Sequence, residues 1–389
     1  MRPELLRLIL AQIFLYSTLA GNRMAAPLLA LHLGYSAAAV GLLLALFGLS
    51  QLLLAVPIGR YIDRQGSRSV MLASVGAACL AGLMTAVWPV FAVLCLVALL
   101  TGGAAGATVI AVQRQVGRLS EDAAELRRSF SWLAIGPALS NVLGPLAVGF
   151  LIDHAGPRPA SLPGFQAAFV FMALVPLVTW ALLRRLREAA PEPDDGAAQG
   201  SVWHSWQLLR LPGIGRLMLV NWFVAASWDV HGLVIPLLGV QRGLSASQIG
   251  MVLGSFALAT GLVRVVLPMM VERLREWMVL VSAMLITAVM FGVYPFTQSA
   301  WTMALCSFLI GLALGTVQPM VMSLLHQITP SQRQGEVLGL RLMSVTASGV
   351  FVPLLLGSVS ALIGLHGLFW LVAAWVGLGS RSALGLRRL

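Results

Sequence analysis

The sequence predicts an all-α polytopic membrane protein, with twelve transmembrane helices in two pseudo-symmetric six-helix bundles. Three observations predict it. Hydrophobic residues make up 59% of the 389 residues and charged residues 10%; the mean hydropathy is +0.90. Soluble domains are about 45–50% apolar and about a quarter charged, so a soluble enzyme is excluded, and a disordered chain fails for want of charge. The apolar residues fall into twelve stretches near the roughly 20 residues that cross about 30 Å of hydrocarbon. Finally, the chain repeats itself at an offset near 209 residues. Twelve spans use about 250 residues, which leaves no room for a separate soluble domain.

Hydropathy, punctuated by Gly, Pro and Arg, sets each span in order. The first, 5–31, follows Arg2 and carries Asn22 and Arg23 in its apolar run. It is too long for the apolar core of a signal peptide. The second, 36–60, ends at Arg60, and the third, 69–88, begins after Arg68. The fourth, 90–113, stops at Arg114; the fifth, 130–152, starts after Arg127 and Arg128. The sixth, 165–184, ends at Arg184 and Arg185. The seventh, 213–239, follows Arg210, and the eighth, 246–270, follows Arg242 and Gly243. The ninth, 276–297, begins after Arg273 and Arg275. The tenth is 299–325, the eleventh, 337–362, follows Arg333, and the twelfth, 365–385, follows Gly364.

Three segments result: an N-terminal bundle, 1–184; a linker, 185–212; and a C-terminal bundle, 213–389. The linker reads Glu188, Pro191, Glu192, Pro193, Asp194, Asp195, Gly196, a flexible composition. Trp203, Trp206, Leu208 and Leu209 then form a short interfacial helix or simply continue the linker.

The net charge of +11 raises the possibility of nucleic acid, but its placement argues against it. With the N-terminus inside, 21 of the 25 basic residues fall on the cytoplasmic side, Arg341 among them. Arg158 and Arg242 lie in outer loops, and Arg23 and Arg264 are intramembrane. This is the positive-inside pattern, spread over many segments, and it predicts cytoplasmic N- and C-termini. All the basic residues are Arg; Lys is absent. Arg in place of Lys fits a GC-rich, bacterial genome, and hence a bacterial inner membrane. A P-loop needs a Lys at the phosphates, so ATP is not bound here by that motif, and no cofactor is expected. A proton gradient is the expected energy source. Cys79, Cys95 and Cys306 lie in apolar stretches without metal-ligand spacing and read as hydrophobic fillers. No HExxH, GxSxG or CxxC occurs, and no nucleophile–base constellation is visible.

The repeat is carried by Pro, Gly and charge. Set 27–64 against 236–273: Pro27 meets Pro236, Gly34 meets Gly243, Ser36 meets Ser245, Gly41 meets Gly250, Asp63 meets Glu272 and Arg64 meets Arg273. Parallel six-span repeats are a transporter architecture, with the substrate site between the halves.

The most specific string runs from Gly59 through Arg60, Asp63, Arg64 and Gly66 to Arg68, in the loop expected after the second span. Gly59 and Gly66 permit a tight turn and close helix approach. Asp63 can cap a helix N-terminus or pair with Arg. The string resembles the G-x-x-x-D-R-x-G-R motif of the major facilitator superfamily, at the same place in the chain. The resemblance implies that this loop latches the cytoplasmic side of the two halves. The second copy keeps Glu272 and Arg273 but loses the glycines, which predicts a weaker latch. Gly144, Pro145 and Gly149 on the fifth span resemble the family's antiporter motif, with Val148 in place of one glycine; packing explains them equally well. The family's exporters carry R-x-x-Q-G on helix four, where this chain has Ala98, Thr101 and Gly102. That coupling arginine is absent from its place.

Charges inside a span cost about 2.5–3.5 kcal/mol on insertion scales, so each marks a functional position by default. Asp229 is the acid placed deep in a span, beside Trp228 and His231. The resemblance implies a cavity lined by helices one, four, seven and ten. Arg23 and Asp229 then meet across it, as a structural pair or as a working one. Asn22, Gln113, Arg114, His231, Arg264 and Gln318 add polar lining, while Arg114 and Arg264 can alternatively snorkel to the headgroups. The expected function is secondary transport of a small organic solute by a monomer in the lipid bilayer. Proton-coupled export of a drug-like or metabolic compound leads; uptake or exchange of an organic anion is the alternative, based on the excess of intramembrane Arg over Asp.

Overall fold

The computed structural model describes residues 3–119, 129, 132–133, 135–184, 213–266, 275–329 and 334–388. Among them every regular element is helical. The first six helices are α1 (Pro3–His32), α2 (Ala37–Gln65), α3 (Ser67–Val87), α4 (Phe91–Leu119), α5 (Ile135–His154) and α6 (Leu162–Leu183). Then follow α7 (Ile214–Gln241), α8 (Ala246–Val266), α9 (Glu276–Val293) and α10 (Ala300–Ile328). The last helical run, Gln334–Leu384, has 51 residues. At 1.5 Å per residue it would extend about 76 Å, more than twice the hydrocarbon thickness. Gly364 breaks it, with φ 70° and ψ 169°, a backbone open to glycine and strained for other residues. The parts before and after, 334–363 and 365–384, are α11 and α12, so the described residues contain twelve spans. The expected linker, 185–212, lies outside the described residues.

Three spans differ from expectation in a way that matters. α2 continues to Gln65 and α3 starts at Ser67, so the loop expected after residue 60 shrinks to Gly66. Gly66 makes the turn alone, with φ 87°, and its N–H bonds the Ile62 carbonyl at 2.9 Å. Asp63 and Arg64 therefore belong to the last turn of α2; their side chains lie outside the described residues. Gly59 is helical with open space beside it, which corrects its expected part in a tight turn. The second copy of the string lies outside the described residues as far as residue 274. α4 runs six residues beyond its expected end, so Gln113 and Arg114 are inside the helix.

Twelve spans put both ends of the chain on one face, here termed the terminal face. The two halves meet along two pairs of helices, α2 with α11 and α5 with α8. The tightest approaches lie on the opposite, distal face. Gly41, near the start of α2, faces the Pro353 carbonyl and Gly357, near the end of α11; a Cβ at Gly41 would overlap that backbone. Gly149 of α5 packs on the backbone of Ala246 and Ser247, at the start of α8. The distal face is thus closed.

Candidate functional site

A cavity of about 300 Å³ lies between the halves. It is lined from α1, α5, α7, α8, α10 and α11, with Arg23 and Asp229 near mid-membrane and Asn221, Arg264, Gln318 and Arg341 nearer the terminal face. A second cavity, about 70 Å³, continues toward the distal face past Met24, Leu44 and His231. Both are lined by Arg23, Asn141, Trp228 and Ala257, which form the neck between them.

The neck holds a charge pair that joins the halves. Arg23 Nη2 of α1 is 3.9 Å from Asp229 Oδ1 of α7. Ser348 of α11 donates to Asp229 Oδ2 at 2.9 Å. One carboxylate thus ties three helices together. Its side chain is 12% exposed and that of Arg23 29%, so the pair borders the cavity with Arg23 as its more exposed member.

Of the other expected residues, Arg264 and Gln318 come together, with Arg264 Nη2 donating to Gln318 Oε1 at 3.2 Å. His231 lines the smaller cavity. Its Nε2 is 2.8 Å from Ser307 Oγ, its ring stacks on Phe256 with centroids 4.3 Å apart, and Ser307 in turn bonds the Tyr294 hydroxyl.

Three expectations are corrected. Asn22 is fully buried and lines neither cavity; a helix turns about 100° per residue, so its neighbour Arg23 faces the cavity while Asn22 faces away. Gln113 is exposed, and neither it nor Arg114 lines either of these two cavities. The reason is packing: α4 sits against α1, α2 and α3 within its own half and supplies no lining residue among those described. The places expected for helix four are taken by α5, α8 and α11.

Gly144 and Gly149 act in packing. Gly144 lies against the α1 backbone at Ser17 and Gly21, while Gly149 meets the start of α8. Ser247 Oγ donates to the Gly149 carbonyl at 3.2 Å. Beside them is a residue the sequence reading passed over. Asp153 accepts from the backbone N–H groups of Ala246, at 3.1 Å, and Ser247, at 2.7 Å. Ser245 and Gln248 cap each other reciprocally, N–H to side chain in both directions. The first four N–H groups of α8 are all satisfied, two of them by the other half of the protein.

Arg341, Asn221 and Asn141 were also missed as lining residues. Arg341 had been counted with the cytoplasmic arginines, although it falls four residues inside its expected span. Asn221 and Asn141 are polar residues within apolar spans, a signal present in the sequence. Among the described residues no three His, Cys, Asp or Glu side chains converge to hold a metal ion.

Comparison with known proteins places this geometry. The chain is 25% identical over 346 residues to multidrug resistance protein MdtG of Salmonella arizonae, covering 85% of this chain and 81% of that protein. It is 27% identical over 343 residues to MdtG of Dickeya zeae, covering 85% and 80%. Among solved structures, a bacterial homologue of the human lysosomal transporter Spinster, inward-facing and occupied, superposes with a TM-score of 0.80 at 14% identity, covering 100% of this chain and 98% of that one. A variant of the nucleoside transporter NupG gives 0.78 at 12% identity, covering 98% and 99%. These structures share the fold. The family model described as Major Facilitator Superfamily matches residues 8–220 and 217–386, and the chain belongs to that superfamily of membrane transporters.

Proposed function

We propose that this protein exports a small drug-like or metabolic organic compound, driven by protons returning across a bacterial inner membrane. The observation that carries the reading is the Arg23–Asp229 pair at the neck of a cavity between two halves. An ion pair that joins the halves in one conformation is a bistable contact, the element that alternating access needs. Protonation of Asp229 removes the charge that holds Arg23 and frees α1 from α7; deprotonation restores the pair. The arginine bias supports cytoplasmic termini. With that orientation the cavity faces the cytoplasm, where an exporter loads. The relatives named multidrug resistance proteins support export. The exporter is taken to work as a monomer.

The experiment is transport in proteoliposomes with an imposed pH gradient, screened over organic cations, anions and neutral compounds. Gradient-dependent accumulation of at least one compound, abolished by a protonophore, is expected. Asp229→Asn should remove accumulation and keep counterflow, the exchange that needs no proton. Full pH-driven accumulation in that variant excludes Asp229 as the coupling group; absence of gradient dependence for every compound overturns the reading.

A further inference from the structure

Arg341 is held in place for a task other than setting topology. It lies about two turns inside α11 and lines the cavity. Its Nε donates to Oδ1 of Asn221 on α7 at 3.1 Å. Arg only donates, so the carboxamide atom facing it is the oxygen, and the Asn221 amide NH2 is turned elsewhere. Asn221 lines the same cavity and is 4% exposed. Its Nδ2 is buried and has no hydrogen-bond partner among the described residues, a costly state for a donor. Nor does any carboxylate among the described residues lie within ion-pair distance of Arg341. A snorkelling arginine would reach outward to the headgroups; this one is tied inward to a neighbouring helix.

The Nε bond leaves the Nη1/Nη2 edge of the guanidinium, the edge that matches a carboxylate or phosphonate in a two-point fork. The guanidinium therefore presents a donor edge and a positive charge toward the cavity. We propose that Arg341, oriented by Asn221, forms an anion-binding subsite of the cavity, which takes the carboxylate, phosphonate or sulfonate of an amphipathic organic substrate. Val224, Trp228 and Val345 provide the apolar wall for its body. The cavity's volume, at the small end for ligand pockets, limits that body to a modest size. The proposal rests on reading this cavity as the substrate site. It gives the exported compound a charge, negative, and leaves Arg23 and Asp229 to each other.

The test uses the full chain in nanodiscs of phosphatidylcholine and three probes with one ring system: naphthalene-1-sulfonate, 1-naphthylmethanol and 1-naphthylmethylammonium. Equilibrium binding should favour the sulfonate over the alcohol by about tenfold or more, with the ammonium weakest. Arg341→Gln should weaken sulfonate binding by about 10- to 100-fold and leave the alcohol unchanged. Arg341→Lys should recover part of the loss, since charge returns without the fork. Asn221→Ala should weaken the sulfonate selectively; it carries the test alone if Arg341→Gln does not reach the membrane. Equal binding of the three probes by the native protein overturns the subsite, as does an equal loss of all three in the variants. Discs containing phosphatidylglycerol separate a substrate from a lipid headgroup: sulfonate binding should persist, and its loss would assign Arg341 to lipid. The exporter reading fails separately, through absence of gradient-driven transport while sulfonate binding remains.

Discussion

Asp153, next to the end of α5, accepts the Ser247 backbone N–H at 2.7 Å, and so caps a helix that belongs to the other half of the protein. A carboxylate at a helix N-terminus satisfies orphan donors and meets the positive end of the macrodipole. Opening of the distal face by separation of α5 from α8 would break this contact. It is therefore a state-dependent bond, and its loss should act on the equilibrium between states rather than on the fold of either half.

Asp153→Ala should weaken distal closure by about 0.5–2 kcal/mol, the worth of an N-cap. A cysteine placed at Met24, in a background lacking Cys79, Cys95 and Cys306, reports it. Labelling by a membrane-impermeant maleimide from the distal side should rise several-fold, with thermal stability little changed. Unaltered labelling would show that the cap does not bear on gating.

The neighbouring glycine allows a sharper perturbation. Gly250 of α8 faces the Pro145 carbonyl of α5, and a Cβ there would overlap it. Gly250→Val should keep α5 and α8 apart and hold the distal face open. The same Met24 cysteine should then label at its maximum, and transport should cease while expression persists. Normal transport by Gly250→Val would mean that closure does not require this approach.

Helix placement was legible because each span must fill a fixed thickness with apolar residues, a constraint the chain writes out plainly. The site was legible where a charged or polar side chain stood inside an apolar span, as Arg23, Asp229, His231 and Gln318 do. Arg341 was not, because a few residues decide whether an arginine near a span end looks outward or inward, and the deciding contact, with Asn221, joins two helices 120 residues apart. Asn22 was misplaced for the converse reason: depth was right, but which face of α1 it occupies is set by packing. Asp153 passed unnoticed because an acid at a span end looks like an ordinary solvated terminus until its partner helix is known.

Asp63 tests the terminal face. It sits on the last turn of α2, ahead of the single-residue turn at Gly66. If it latches the halves when the terminal face closes, Asp63→Asn should leave expression intact and lower transport at least several-fold. The loss should appear in both net transport and counterflow, since each requires that face to close. Disappearance of the protein from the membrane, or unchanged transport, would rule the latch out.

The Arg23–Asp229 pair makes a prediction about stability that its two single variants cannot make separately. Each partner is partly withdrawn from water, so removing one leaves the other charge poorly compensated, which costs about 1–3 kcal/mol. The cost stays near the lower end for Arg23→Gln, because Asp229 keeps its bond from Ser348 at 2.9 Å. For Asp229→Asn it falls on Arg23, the more exposed partner, where water softens it. Both singles should therefore lower the thermal midpoint, and the double variant Arg23→Gln with Asp229→Asn should be more stable than their sum predicts, since no charge remains unpaired. Transport should part from stability: the double variant regains the fold yet stays unable to accumulate against a gradient, for want of a group that takes a proton. Strict additivity of the two losses in thermal unfolding would mean that the pair, at 3.9 Å, does not couple the halves.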